Sequence, residues 1–351
     1  MLFSFVGWAI IGIVAADIFR SLLVPRASTR VLRLGPIVTA AIFQVWHALA
    51  GRLHAPQARQ TMRASLAPLM LVVFLVIWAA TLILGFGLVF WGSRASIAPR
   101  FANLNDAVYA AGTAFSTMGA PHAVTGYYAR AAVLGCSLAG LAIVTVVATF
   151  LISIQGGFGR REALVLRLES HVTLPPSGIA ILETFARERV TARIGPFFDT
   201  WEAWSAEVAL SHRAFPILMF FRSNDARCEW LAALGAVLEA AALIDSTVTD
   251  ADADTDADAR AGAHFVLRTG TRLLTGLIEQ FASSTIKADY EPIDVERFRT
   301  HRARLADVGF ELISNETAAL AKFHKYEAKF APALSALAAR LRIDLNYPSD
   351  F

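Results

Sequence analysis

The sequence predicts an all-α integral membrane protein in two parts: an apolar half that spans a bilayer, and a cytoplasmic all-helical domain. Three observations lead there. No charged residue occurs from Ala64 to Gly92 or from Ala131 to Gly159, and each run exceeds the roughly 20 residues needed to cross a hydrocarbon core. Between those runs lies Asn105–His122, NDAVYAAGTAFSTMGAPH, which is too short and too polar to cross. From Arg160 onward the chain is charged, and its apolar residues recur at helical spacing.

Composition agrees. The chain is 56% apolar with a mean hydropathy of +0.50, and the apolar residues concentrate in the first half. A formal charge of +3 is too small to indicate nucleic acid as a partner. The two cysteines fall in different environments, Cys136 in an apolar run and Cys228 in the charged half, so a disulfide between them is not expected.

Taken in order, Leu2–Ala16 is uncharged and continues past Asp17 toward Leu23. It has no basic leader, so it reads as a retained anchor, not a signal peptide. Asp17 reads as an interfacial partner of Arg20; the alternative is a functional intramembrane carboxylate. Arg20, Arg26, Arg30 and Arg33 precede an uncharged run, Leu34–Gly51, and Arg52, Arg59 and Arg63 follow it. That run is either a short span or an amphipathic helix on the inner surface. Basic flanks at both ends favour the surface helix, since they then share one side. Residues 1–63 thus form an N-terminal span with a basic interfacial segment, 64–159 a membrane module, and 160–351 the cytoplasmic domain. Basic residues at 52–63 and 160–167 mark the cytoplasmic face of a multi-pass plasma (inner) membrane protein, with 93–130 and the N-terminus outside.

Asn105–His122 carries the chemistry. It reads as a short helix from Asp106 to about Phe115, followed by a turn, Ser116-Thr117-Met118-Gly119-Ala120-Pro121. Irregular backbone at membrane depth is tolerated only where it is buried in protein or lines a water-filled path. A permeating cation needs oxygens in place of its hydration shell, which backbone carbonyls supply. A helix aimed at the pore adds the partial negative charge of its C-terminus.

These residues resemble the potassium-channel pore signature, approximately D-A-L-Y, six variable residues, then T-T-V-G-Y-G-D. Asp106-Ala107-Val108-Tyr109 matches the opening, and Ser116-Thr117-Met118-Gly119 falls at the T-T-V-G positions with the same spacing. Residues 64–158 are similar to the two-transmembrane-plus-pore-loop channel unit, here with an extra N-terminal span. The resemblance implies a homotetramer in which Asp106 and Tyr109 lie on a pore helix and Ser116–Pro121 line the ion path. Monovalent cations would be the permeant species, with no cofactor and no metal centre. Through SHRAFPILMFFRS (211–223) the charged half is similar to the helical tails of bacterial potassium-channel-like proteins.

The match ends at Gly119. Where the family has Y-G-D, this chain has Ala120-Pro121-His122. Proline fixes φ near −65° and cannot adopt the positive φ that the second glycine allows. The expectation is a cation channel with weak or altered potassium selectivity. Alternatives are a potassium-selective channel and, from another class, a non-conducting membrane-anchored sensor or scaffold. His122 reads either as a proton-sensitive group at the outer mouth or as an exposed loop histidine. Gly135 and Gly140 of the following span read as hinges or as packing positions. Gln155-Gly156-Gly157-Phe158-Gly159 is expected to break that span from the cytoplasmic half.

Beyond Arg160 helices are expected throughout. Trp230, Leu231, Leu234, Val237, Leu238 and Ala241 recur at helical spacing and predict an amphipathic core helix over about 225–244, with Ser223, Asn224 and Asp225 as cap candidates. TDADADTDADAR (249–260) is acidic and of low complexity, which predicts a solvated, disordered loop near 246–260. A calcium loop starting at Asp250 would need Gly at its sixth position and Glu at its twelfth; the chain has Thr255 and Ala261. No G-x-G-x-x-G motif, metal-ligand spacing or catalytic constellation stands out, so an enzyme is not expected.

Overall fold

Helices dominate the computed structural model, which describes residues 2–23, 66–119, 122–223, 225, 227–249, 253–281, 290–343 and 345. The chain divides into two units, Met1–Gln155 and Gly156–Phe351. Among the described residues, four helices are long and apolar enough to cross a membrane: α1 (Leu2–Leu23), α2 (Leu66–Gly92), α4 (Tyr127–Glu169) and α7 (Trp230–Thr247). Between α2 and α4 stands the shorter α3 (Leu104–Phe115).

In the first unit α1 lies antiparallel on α2, because ascending residues of one meet descending residues of the other. Ser4 abuts Gly92, Gly7 abuts Gly85, and Asp17 accepts a hydrogen bond from Trp78 Nε1 at 3.0 Å. A β-carbon at Gly7 would stand 2.5 Å from the Gly85 carbonyl oxygen, so this crossing depends on small residues, the usual device where lipid removes the hydrophobic drive for helix association. The end of α1 and the start of α2 therefore share a side. The expected Asp17–Arg20 pairing and the nature of Leu34–Gly51 lie outside the described residues and side chains. Many residues of α1, α2 and α4 are apolar and exposed, Phe5, Ile13, Val76 and Leu138 among them, as in helices that meet lipid.

Two short strands close the connection from α2 to α4. β1 (Ile97–Ala98) pairs antiparallel with β2 (Ala123–Val124), and the Thr125 N–H and hydroxyl both donate to the Ser96 carbonyl, at 3.0 and 3.1 Å. The loop that contains α3 is thus tied at its base.

α4 corrects the expected break. It runs unbroken through Gly156, Gly157 and Gly159, and the boundary between the units falls inside it. Each helical glycine costs about 1 kcal/mol relative to alanine. At Gly157 packing offsets that penalty, since a β-carbon there would stand 3.0 Å from Leu218 Cδ1.

The second unit adds α5 (Gly178–Arg187), α6 (Ile194–Ala214), α8 (Ala253–Phe281), α9 (Val295–Asp307) and α10 (Glu316–Leu341). They surround α7, every residue of which is buried. The sequence had predicted a one-sided apolar stripe. Small residues at Ala232, Ala236, Ala240 and Ala242 let helices approach the remaining faces as well. Its polar groups find partners: Glu239 accepts the Gly178 N–H at 2.7 Å, and Asp245 pairs with Lys322 Nζ at 2.8 Å. This fourth apolar helix therefore meets protein on all sides.

The acidic stretch also differs from expectation. Ser246 and Thr247 complete α7 and are buried, and α8 begins at Ala253; residues 250–252 lie outside the described residues. Alanine alternates with aspartate here, no glycine or proline intervenes, and alanine is the strongest helix former. Periodicity found no apolar face in this stretch, but helix formation did not require one. Cys136 and Cys228 are buried free thiols.

Candidate functional site

The approach to α3 is fixed by its own sequence. Asn103 caps the helix, accepting the Asp106 N–H at 3.0 Å, and Asp106 reaches back to accept from Ala102 N and Asn103 N at 3.1 and 3.3 Å. This capping box satisfies otherwise orphaned donors at the helix start. It gives the aspartate of the D-A-x-Y match a local structural role.

One face of α3 is alanine: Ala107, Ala110, Ala111 and Ala114 are buried at helical spacing. Beside that face, glycines in both flanking helices receive Val108 and Phe115. A β-carbon at Gly87 of α2 would meet Val108 Cα at 2.9 Å, and one at Gly140 of α4 would overlap the Phe115 carbonyl oxygen. Between these notches the Cys136 thiol donates to the Ala111 carbonyl at 3.4 Å. Of the two expected hinge positions, Gly140 thus has a packing role. At Gly135 a β-carbon would have only Phe86 Cε1 near it, at 3.9 Å, and α4 is continuous at both glycines. The opposite face of α3 is open, with Tyr109 68% exposed.

After Phe115 the chain makes a Schellman turn. Met118 N donates to Thr113 O at 3.0 Å and Thr117 N to Ala114 O at 3.1 Å, the paired bonds of that motif. Its left-handed position usually holds glycine, but here it holds Thr117 at φ +60°. A β-branched residue in this conformation costs roughly 1–2 kcal/mol. Gly119 follows at φ +103° with open space around it. Residues 116–119 therefore form a turn folded onto the helix end. Among the described residues, no group donates to the carbonyls of Ser116, Thr117 or Met118. All four residues are exposed, Met118 by 82%. Ala120 and Pro121 lie outside the described residues. His122 is half-buried, with its ring 4.7 Å from Phe101 in an edge-on contact and its Nδ1 without a hydrogen-bond partner among the described residues. It is partly covered by Phe101 and so not fully exposed, in contrast to the second sequence reading.

Sequence reasoning missed two features. Gly87 is one, legible only as a small residue within an apolar span. The other is a hydroxyl row on α4: Thr145, Thr149 and Ser153, each bonding the carbonyl four residues back at 2.9–3.0 Å. Their spacing places them on one helix face, with Thr145 and Thr149 exposed.

The second unit explains SHRAFPILMFFRS. Arg161 is 1% exposed. It donates to the carbonyls of Leu218 and Phe221 at 3.0 and 2.7 Å, and it pairs with Glu162 at 2.9 Å. Its guanidinium also lies 5.0 Å from the Trp230 ring. Glu162 accepts from the Ser223 hydroxyl at 3.2 Å, and that hydroxyl accepts the Trp230 N–H at 2.9 Å. Of the three cap candidates, Ser223 therefore serves α7 from across a loop, Asp225 accepts from Arg227 N at 2.7 Å instead, and Asn224 lies outside the described residues. His212 lies 3.3 Å from Arg161, and burial together with that cation lowers its pKa to about 3. The stretch is the structural partner of a buried arginine. Burial pushes the Cys228 thiol up to about 12, so it stays protonated.

Comparison with protein-family models, with curated proteins and with solved structures finds no match for this chain.

Proposed function

We propose that this chain is one subunit of a homotetrameric channel for monovalent cations, with the carbonyls of Ser116–Met118 facing the ion path. The observation that carries the reading is α3 with its turn. Twelve residues at about 1.5 Å each span roughly 18 Å, little more than half of a hydrocarbon core of about 30 Å. In this reading α3 enters the membrane, and a helix of that length turns back at membrane depth, which requires protein or water around the turn. The flanking glycines and the alanine face supply protein on one side. On the other, three carbonyls that accept from no donor among the described residues suit a hydrated or partly dehydrated cation, and the C-terminus of α3 adds about half a negative charge. The hydroxyl row of α4 suits a wet inner path. The antiparallel α1–α2 pair fits a topology with the N-terminus outside and residues 160–351 cytoplasmic.

In this reading the pore discriminates weakly between potassium and sodium, because Ala120-Pro121-His122 stand where the upper filter of the resembling family has Y-G-D. The test is reconstitution in liposomes, with reversal potentials measured under opposed potassium and sodium gradients. A cation current from a tetramer, with a reversal potential well short of the potassium equilibrium value, is expected. A monomer or dimer in mild detergent, or silence from a verified tetramer, overturns the reading.

A further inference from the structure

We infer that the second unit carries a binding cleft for a small planar organic anion, of the nucleoside-phosphate class, between α8 and α10. The site lies wholly within the second unit and does not depend on conduction. Its volume is about 400 Å³, within the range of small-molecule sites.

Its walls combine cations with aromatic rings. Arg268 and Lys329 line it and have no carboxylate within ion-pair distance among the described residues. Arg161, Arg222, Arg299, Arg304 and Lys322 each do. Arg268 lies instead 5.8 Å from the centre of the Phe265 ring, and Lys329 lies 5.6 Å from that of Tyr326. Asp245, next to the cleft, is only 2% exposed, and its charge is engaged by Lys322 at 2.8 Å and His264 at 3.1 Å. Two positive charges are thus left uncompensated at the wall.

Thr271 adds a hydroxyl. Burial and a hydrogen bond to the Asp245 carboxylate push the Tyr326 phenol up to about 12, so its O–H is committed to Asp245 and Tyr326 contributes its ring to the wall, not a free donor. A guanidinium fork beside an ammonium suits phosphate oxygens. Phe265, 46% exposed, offers a face for a flat ring, with stacking as the usual aromatic contact. Phosphate alone would use only the cations and an uncharged ring only Phe265, so a ligand carrying both fits best.

Isothermal titration of the purified full-length protein in detergent tests this with four probes: adenosine monophosphate, adenosine, inorganic phosphate and soluble inositol trisphosphate. Adenosine monophosphate is expected to bind saturably, and each of the others at least about tenfold more weakly. R268Q and K329Q should each weaken it by about tenfold, the scale of one charge-assisted contact. F265A should weaken adenosine monophosphate and leave inorganic phosphate unchanged. The lysine and arginine side chains are exposed, so both variants should melt as the parent does. The inference is overturned if no probe gives saturable heat, or if R268Q and K329Q bind as the parent. It is also overturned if inositol trisphosphate or inorganic phosphate binds as tightly as adenosine monophosphate, which would make the cleft a headgroup or simple anion site.

Discussion

Replacing Gly140 with alanine should loosen the candidate pore far more than a methyl group suggests. The new β-carbon would overlap the Phe115 carbonyl oxygen and stand 2.8 Å from its carbonyl carbon, against a comfortable separation of about 3.5 Å or more. The obstacle is backbone at the end of α3, so no rotamer change relieves it, and α3 and α4 must part by roughly 1 Å. Overpacking costs about 1–3 kcal/mol, here at the upper end, while alanine returns about 1 kcal/mol of helix propensity. The net is a destabilisation of roughly 2 kcal/mol, and the melting point should fall by about 5 °C. Gly135→Ala is the internal control: its nearest neighbour would be 3.9 Å away, so only the propensity gain applies. Thermal melts of the detergent-solubilised protein would be compared with tetramer recovery and liposome flux. Equal melting of G140A and the parent, or greater damage from G135A, would refute the seating of α3 against α4.

Other perturbations act on single named interactions. Asn103→Ala removes half of the capping box and should cost about 1 kcal/mol, read as a lower melting point that N103S largely restores. Thr117→Gly relieves the left-handed strain and should raise stability by about 1 kcal/mol; a drop would mean that the turn adopts another geometry. Substituting A120Y, P121G and H122D together should shift the reversal potential toward potassium; an unchanged value would sink the account of weak selectivity. Acidification should destabilise the second unit. His212 has a folded pKa near 3 against 6.5 when unfolded, so the unfolded chain binds the extra proton. The stability that neutral His212 contributes is present above pH 6.5 and is lost as pH falls toward 3. His301 is also lowered, mainly by burial, and adds in the same direction. Melting points of the parent and H212N from pH 7 to 5 check this: the parent should fall more steeply.

The apolar helices and the short helix between them were legible because their signals are local: uncharged runs for α1, α2 and α4, and Asp106-Ala107-Val108-Tyr109 for α3, although its cap at Asn103 went unread. What was not legible depends on contacts distant in sequence. The Gly156–Gly159 run looks like a break, yet the helix continues because residues near 211–218 pack on Gly157. α7 looks one-sided, yet its alanines are covered because helices far along the chain close over them. The left-handed Thr117 carries no sequence mark at all, since glycine would be the ordinary choice there. The half-burial of His122 depends on a contact with Phe101, distant in sequence. SHRAFPILMFFRS draws attention as a composition, but its role appears only with Arg161 in place.

The pairing of Arg161 also has a consequence for how the protein is made. Its carbonyl partners at Leu218 and Phe221 lie 57 and 60 residues downstream. At a synthesis rate of roughly 5–20 residues per second, they emerge about 3–12 s after it does. During that interval the last turns of α4 present a bare guanidinium and the uncovered ring of Phe158 to the ribosome exit and its attendant chaperones. A premature stop between Arg161 and Leu218 would make the interval permanent, and such fragments should be recognised as unfinished and degraded even where every apolar helix of the first unit has been made.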